Sequence, residues 1–150
     1  MPITDKMLNR LQILEEGARQ RPYSADELAE LWRFFVDMAA DYIRRGFIDL
    51  APEWVGEVRD GEYHRWPVRY CVGLRRGIGG HPEAGAAHSI SMALQEAIYP
   101  YNSRPYGPEL DRSKPTNTRE LLAWIRELDT PPPGDSYFSW IRVLEVLSAN

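Results

Sequence analysis

The amino-acid sequence predicts a mainly α fold, a single compact helical bundle of about five to six helices over residues 1–150. Apolar residues recur at helical spacing in several segments, capping residues open some of them, and prolines and glycines separate them. The composition, 43% hydrophobic and 27% charged over 150 residues, is typical of one soluble globular domain. At most one short β-hairpin, near residues 55–65, is expected beside the helices.

The first two helices follow from capping residues and periodicity. Behind Thr4, a suitable cap, residues 5–20 carry apolar side chains at helical spacing. Ser24 and Glu27 form the S-x-x-E capping box, and an apolar stripe follows, so residues 25–45 are predicted to form a core helix. The stripe comprises Leu28, Leu31, Trp32, Phe35, Ala39, Tyr42 and Ile43, and Gly46 ends it.

Residues 47–80 fit two interpretations. Asp60-Gly61 between two short polar and apolar runs indicates a hairpin turn. Alternating polar and apolar side chains within residues 66–76 are typical of a half-buried strand. Pro67, however, suits the first turn of a helix and is unfavourable inside a central strand. Periodicity therefore leaves residues 66–76 open between helix and strand.

Three more helices are predicted in the second half of the chain. Pro82 can open the first of them, and Asn117 with Glu120 begins the next. A last apolar helix is expected over about residues 136–147, after a proline-rich turn. The buried face of the helix after Pro82 is marked by Ala87, Ile90, Ala93, Leu94, Ala97 and Ile98.

Charge and cysteine content argue against several function classes. The net charge of −4 gives no general help with nucleic-acid binding, and a patch of Arg69, Arg75 and Arg76 is better interpreted as a solvated face. A single cysteine excludes an intramolecular disulfide framework. The N-terminal stretch is interrupted by charges, and no segment has the ~20 apolar residues of a membrane span. We therefore expect a cytoplasmic protein that does not contact membranes.

The glycine-rich stretch from Cys71 to Ser89 does not match a phosphate-binding motif. From Gly77 it reads G-I-G-G-H-P, which departs from G-x-G-x-x-G, and it contains no lysine for a P-loop. The favoured interpretation is a sharp turn between two elements. The alternative is an anion or ligand contact made by Arg75, Arg76, Gly79, Gly80 and His81, close to the start of a helix.

Cys71, His81 and His88 are the candidates for catalytic chemistry. A cysteine nucleophile would need a neighbouring base, and either histidine is the right type. The favoured interpretation is a small buried cysteine and surface histidines, because seven residues separate the two histidines and no H-x₃-H or H-E-x-x-H motif is present. We expect no catalytic residue, no metal and no cofactor.

The long connection from Tyr99 to Asn117 is the candidate for partner binding. Loops of this length without secondary structure are often functional, and tyrosine and arginine are common at interface hot spots. The predicted contact residues are Tyr99, Tyr101, Asn102, Arg104 and Tyr106. An alternative with equal weight is a loop that packs its tyrosines back onto the helices.

Four stretches, LWRFFVDMAADYIRRGF, WPVRYCVGLRRGI, AAHSISMALQEAI and YNSRP…TNTRELLAWI, follow one another over about residues 31–128. In this order they resemble a family of small uncharacterised helical domains of unknown function from actinobacteria and their phages. The resemblance implies that Trp66–Gly77 forms a helix, and it implies no activity. The proline-rich stretch after Tyr101 departs from the family pattern.

The sequence thus predicts a small non-catalytic protein that binds a protein partner and acts as an inhibitor or immunity protein. Its acidic charge would complement a basic partner, and its aromatic residues would supply contact area. The alternative is a small-ligand-binding protein or enzyme that uses Cys71, His81 and His88. Nucleic acid is a disfavoured partner, and the oligomeric state stays open.

Overall fold

The chain folds into helices packed against one long β-hairpin, as seen in a computed structural model that describes residues 4–98, 114–128, 130–132 and 139–149. The helices of this described part are α1 (Asp5–Ala18), α2 (Ala25–Arg44), α3 (Ala84–Ile98), α4 (Thr118–Glu127) and α5 (Trp140–Ser148). The strands are β1 (Ile48–Arg59) and β2 (Glu62–Leu74), which pair antiparallel. The fold is therefore α+β, and the prediction of a single helical bundle is wrong.

The helices predicted from caps and periodicity are all present, and α1, α2 and α4 begin at the caps that the sequence offers. The helix expected from about residue 136 begins only at Trp140, because Ser139 is its extended N-cap, and α3 begins at Ala84, two residues after Pro82. The Ser24 hydroxyl accepts a hydrogen bond from the Glu27 backbone N–H (3.1 Å), and the Ser24 backbone N–H donates to the Glu27 carboxylate (2.9 Å), which completes the capping box of α2. At the other end, Gly46 has a φ of 79°, and Phe47 N–H donates to Tyr42 C=O, as in a Schellman motif. Thr4 and Asn117 cap α1 and α4 as expected.

The error in the predicted fold lies in residues 66–76. Trp66–Leu74 belongs to β2, so the helix that the family resemblance implied is absent there. Pro67 is tolerated because the sheet has two strands within the described residues, so that neither is a central strand there. The register also shifts beside it: Glu53 pairs with Arg69, whereas Trp54 pairs with Pro67. This β-bulge relieves the ladder where proline cannot donate a hydrogen bond.

The hydrophobic core lies between the helices and the base of the hairpin. An aromatic cluster joins α2 to α5: Trp32 stacks on Phe35 with ring centroids 5.5 Å apart and meets Trp140 edge-on at 5.2 Å. Ile48 and Val72 bring the two strands into the same core. The base of the hairpin is therefore fixed to the helices, while its far end extends beyond them, since all residues from 58 to 65 are exposed.

Candidate functional site

The outer half of the β-hairpin, residues 54–67, is here called the hairpin arm. Its turn is the one that Asp60-Gly61 predicts, because both residues have positive φ (51° and 80°), as a two-residue type I′ turn requires. Alternate residues of a strand lie on one face, and directly paired residues share that face. The face of β1 that is buried at Ile48 therefore continues outward along the arm to Val58.

This outward continuation carries large apolar side chains that stay largely exposed. Trp54 is 45% exposed, Val58 is 70% exposed and Tyr63, the partner of Val58 across the strands, is 68% exposed. The Arg65 guanidinium lies over the Trp54 ring, 4.4 Å from its centroid. Tryptophan, tyrosine and arginine are the residue types enriched at interface hot spots, and here they are contiguous.

A glycine sets the position of the Tyr63 ring. A Cβ atom at Gly56 would lie 2.8 Å from Cε2 of Tyr63 and closer still to its Cζ and Oη. The tyrosine ring therefore rests on the bare backbone of β1, in the space that a side chain would fill. This contact holds an exposed ring flat along the arm.

The tip of the arm is acidic. Glu57, Asp60 and Glu62 give three negative charges and Arg59 gives one positive charge, so residues 57–62 carry a net charge of −2. The chain as a whole has the same sign, at −4. Both values favour an approach to a positively charged surface.

The base of the hairpin, at the start of β1, is anchored by a polar and aromatic cluster at the end of α2. Arg45 forms an ion pair with Glu83, which precedes α3, and its guanidinium lies 4.7 Å from the centroid of the Phe47 ring. The Tyr42 hydroxyl donates to Glu83 at 3.2 Å. His81 meets Phe47 edge-on, with centroids 4.8 Å apart. The cluster ties α2, the start of β1 and the loop before α3 together.

The pKa values of this cluster are shifted by these contacts. Its hydrogen bond to Arg45 lowers the pKa of Glu83 below the ordinary value of a glutamate. Burial, reinforced by the Glu83 carboxylate, raises the pKa of Tyr42 to about 12. Tyr42 therefore stays a hydrogen-bond donor and Glu83 a carboxylate throughout the neutral range, as expected of a structural contact.

The residues predicted to contact an anion lie in the loop between β2 and α3. Backbone N–H groups of Ile78 and His81 donate to Arg75 and Ile78 carbonyls within the loop, and the Glu83 N–H donates to Nδ1 of His81 at 3.1 Å. Glu83 is the residue just before α3, and its carboxylate accepts hydrogen bonds from Tyr42 and Arg45. Arg75, Arg76, Gly79, Gly80 and His81 are all exposed, and their role as a ligand contact stays a prediction.

Cys71 and the two histidines occupy different places. The Cys71 Sγ lies 3.6 Å from Oε2 of Glu53 on the hairpin, and the residue is half-buried. His81 packs against Phe47 at the start of β1, and its Nδ1 accepts a hydrogen bond from the Glu83 N–H. His88 is an exposed residue of α3. The structure thus places the thiol beside Glu53 and the His81 imidazole beside Phe47 and Glu83, and a role of Cys71, His81 and His88 in catalysis stays a prediction.

The predicted partner-binding residues, Tyr99, Tyr101, Asn102, Arg104 and Tyr106, lie outside the described residues. Within the described ranges, no group of three or more histidine, cysteine, aspartate or glutamate side chains is arranged to hold a metal ion.

The exposed aromatic face of the arm was not predicted from the sequence. Its signal is the long alternation on both sides of Asp60-Gly61, which extends well beyond the short hairpin expected at 55–65. No family model, no curated protein and no solved structure matches this chain. None of the helices in the described ranges is long and apolar enough to cross a membrane.

Proposed function

We propose that this protein is a non-catalytic binding protein, of the inhibitor or immunity type, that holds a protein partner with the hairpin arm. The observation that carries the proposal is the uncovered face formed by Trp54, Val58 and Tyr63. Contiguous apolar surface rimmed by charges is typical of a protein–protein contact. The acidic tip, residues 57–62, supports a basic partner.

The arm suits this role because its apolar side chains are already ordered. Tyr63 rests on Gly56 and Arg65 on Trp54, so little side-chain freedom remains to be lost on binding. The polar cluster around Arg45 and Glu83 fixes the base of the hairpin to the helices, which limits how far the arm can move relative to them. A partner would meet a preformed surface.

Affinity capture with the immobilised protein, from an extract of the cells that produce it, tests the proposal. We expect a retained protein that is lost when Trp54→Ala is combined with Val58→Asp, because both changes strike the exposed face and spare the core. Ile13→Ala, which removes an equally exposed apolar side chain (60%) from α1, is the matched control and should retain the partner. Equal capture by all three proteins would refute the role of the arm.

A further inference from the structure

A groove lies between α2 and α4, and none of the described residues of the hairpin arm lines it. Leu128 and Pro131 close one side of it, and its volume is about 330 Å³. Small-molecule sites span roughly 300–1,000 Å³, so this groove has room for one small molecule or one residue of a peptide.

The floor of the groove is apolar and rigid. Trp32 and Val36, one helical turn apart on α2, and Ile125 of α4 line it, and all three are buried. Trp32 is only 4% exposed and is held by its ring contacts to Phe35 and Trp140. The floor therefore keeps its shape without an occupant and suits a branched apolar side chain.

The rim of the groove carries three charged side chains. Arg33 and Asp37 are four residues apart on α2, about 5–6 Å between Cβ atoms, and Arg126 lies across the groove on α4. Among the residues that the structure describes, none of the three forms an ion pair. Two positive charges and one negative charge give the rim a net charge of +1, in a chain whose net charge is −4.

The chemistry of the rim selects the occupant. Guanidinium groups bind carboxylates through paired hydrogen bonds, and an aspartate accepts from an amide N–H. We infer that the groove binds the carboxylate end of an N-acylated apolar amino acid, either free or as the last residue of a peptide. The carboxylate faces Arg33 and Arg126, the amide N–H faces Asp37, and the apolar side chain lies on Trp32.

The experiment titrates the full-length protein with N-acetyl-L-leucine and with a peptide of four alanines ending in leucine with a free carboxylate. The readout is the indole N–H resonance of Trp32, whose Nε1 is buried and has no hydrogen-bond partner among the described residues, so a shift of this resonance reports that the groove is occupied. For a ligand this small we expect a Kd on the order of 1 mM.

Matched ligands and variants decide the outcome. The C-terminal amides of both probes should bind about tenfold more weakly, and Arg126→Gln should weaken binding of the acids by a similar factor. Arg119→Gln, an exposed arginine of the same helix outside the groove, should leave the Kd unchanged. If only the peptide binds, the natural ligand is the C-terminal residue of a peptide. If both probes bind, a free N-acylated amino acid is also a suitable ligand.

Three results would overturn the inference. The first is equal binding of the acid and its amide. The second is that the Trp32 resonance does not shift with either acid. The third is that Arg119→Gln weakens binding as much as Arg126→Gln. Because Arg126 is exposed and makes no ion pair within the described residues, its replacement is not expected to disturb folding. Urea unfolding of each variant checks this point.

Discussion

Replacing Gly56 by alanine should change stability in opposite directions, depending on what stands at position 63. In the native protein the new methyl group would enter the space of the Tyr63 ring, with Cε2 only 2.8 Å away. The ring is 68% exposed and can swing into water, so the cost is limited to the lost cross-strand contact, about 0.2–1 kcal/mol, and a strained rotamer, about 0.5–1.5 kcal/mol. Over most of their range these two costs together exceed the gain from replacing a strand glycine, roughly 0.5–1 kcal/mol, so Gly56→Ala alone should destabilise the protein.

In a Tyr63→Ala background the obstruction is gone, and Gly56→Ala should stabilise the protein by roughly 0.5–1 kcal/mol. The double-mutant cycle should therefore give a coupling of about 1 kcal/mol. Urea unfolding measures the free energies, and native-state hydrogen exchange of the arm amides detects any change confined to the arm. If Gly56→Ala had the same effect in both backgrounds, within about 0.3 kcal/mol, the ring would not rest on Gly56 and our account of the ordered arm would be wrong.

Two glutamates should respond oppositely to acid. Arg45 lowers the pKa of Glu83, so the contribution of this carboxylate to stability is present above the unfolded value of about 4.5. Glu83→Gln should therefore destabilise the protein at pH 7 and lower the pKa of Tyr42 from about 12. The stability difference between the two proteins should shrink as the pH falls below about 4.5 towards the lowered pKa of Glu83. These changes are followed by urea unfolding and by titration of the Tyr42 ring carbon resonance. Burial, with help from Glu15, raises the pKa of Glu145, so Glu145→Gln should stabilise the protein at pH 7, and this gain should vanish as acid protonates the native glutamate. A stability difference that does not change between pH 7 and pH 4 would contradict either assignment.

The helices could be predicted from the sequence because their signals are local. The capping box of Ser24 and Glu27 and the stop at Gly46 each lie within one turn of the helix end that they define. No similar local signal separates helix from strand over residues 66–76. Pro67 was weighed as a residue of a central strand, but a two-stranded sheet has none. Its place beside the bulge depends on the pairing with β1, which periodicity does not reveal.

The candidate site on the arm was not predicted from the sequence. The contact surface expected at Tyr99, Tyr101, Asn102, Arg104 and Tyr106 lies outside the described residues and stays a prediction, whereas the arm presents Trp54, Tyr63 and Arg65. Their location was not predicted, because exposure of a strand face depends on where the covering helices stop. Ile48 and Val58 lie on the same face of β1, yet Ile48 is buried and Val58 is exposed. The helices cover this face at Ile48 and not at Val58, which the local sequence pattern does not show.

The two prolines of the hairpin have a consequence for solubility. Among the described residues no further strand pairs with the hairpin, although near its base the Val72 N–H donates to the Gln95 side chain. An open edge with apolar side chains is a template for edge-to-edge pairing between copies, which leads to aggregation. Pro52 and Pro67 each remove a backbone donor from a strand, and the bulge beside Pro67 interrupts the flat ladder that an incoming strand would need. The same prolines that make the strands hard to recognise in the sequence thus disfavour edge-to-edge pairing of the hairpin into fibrils.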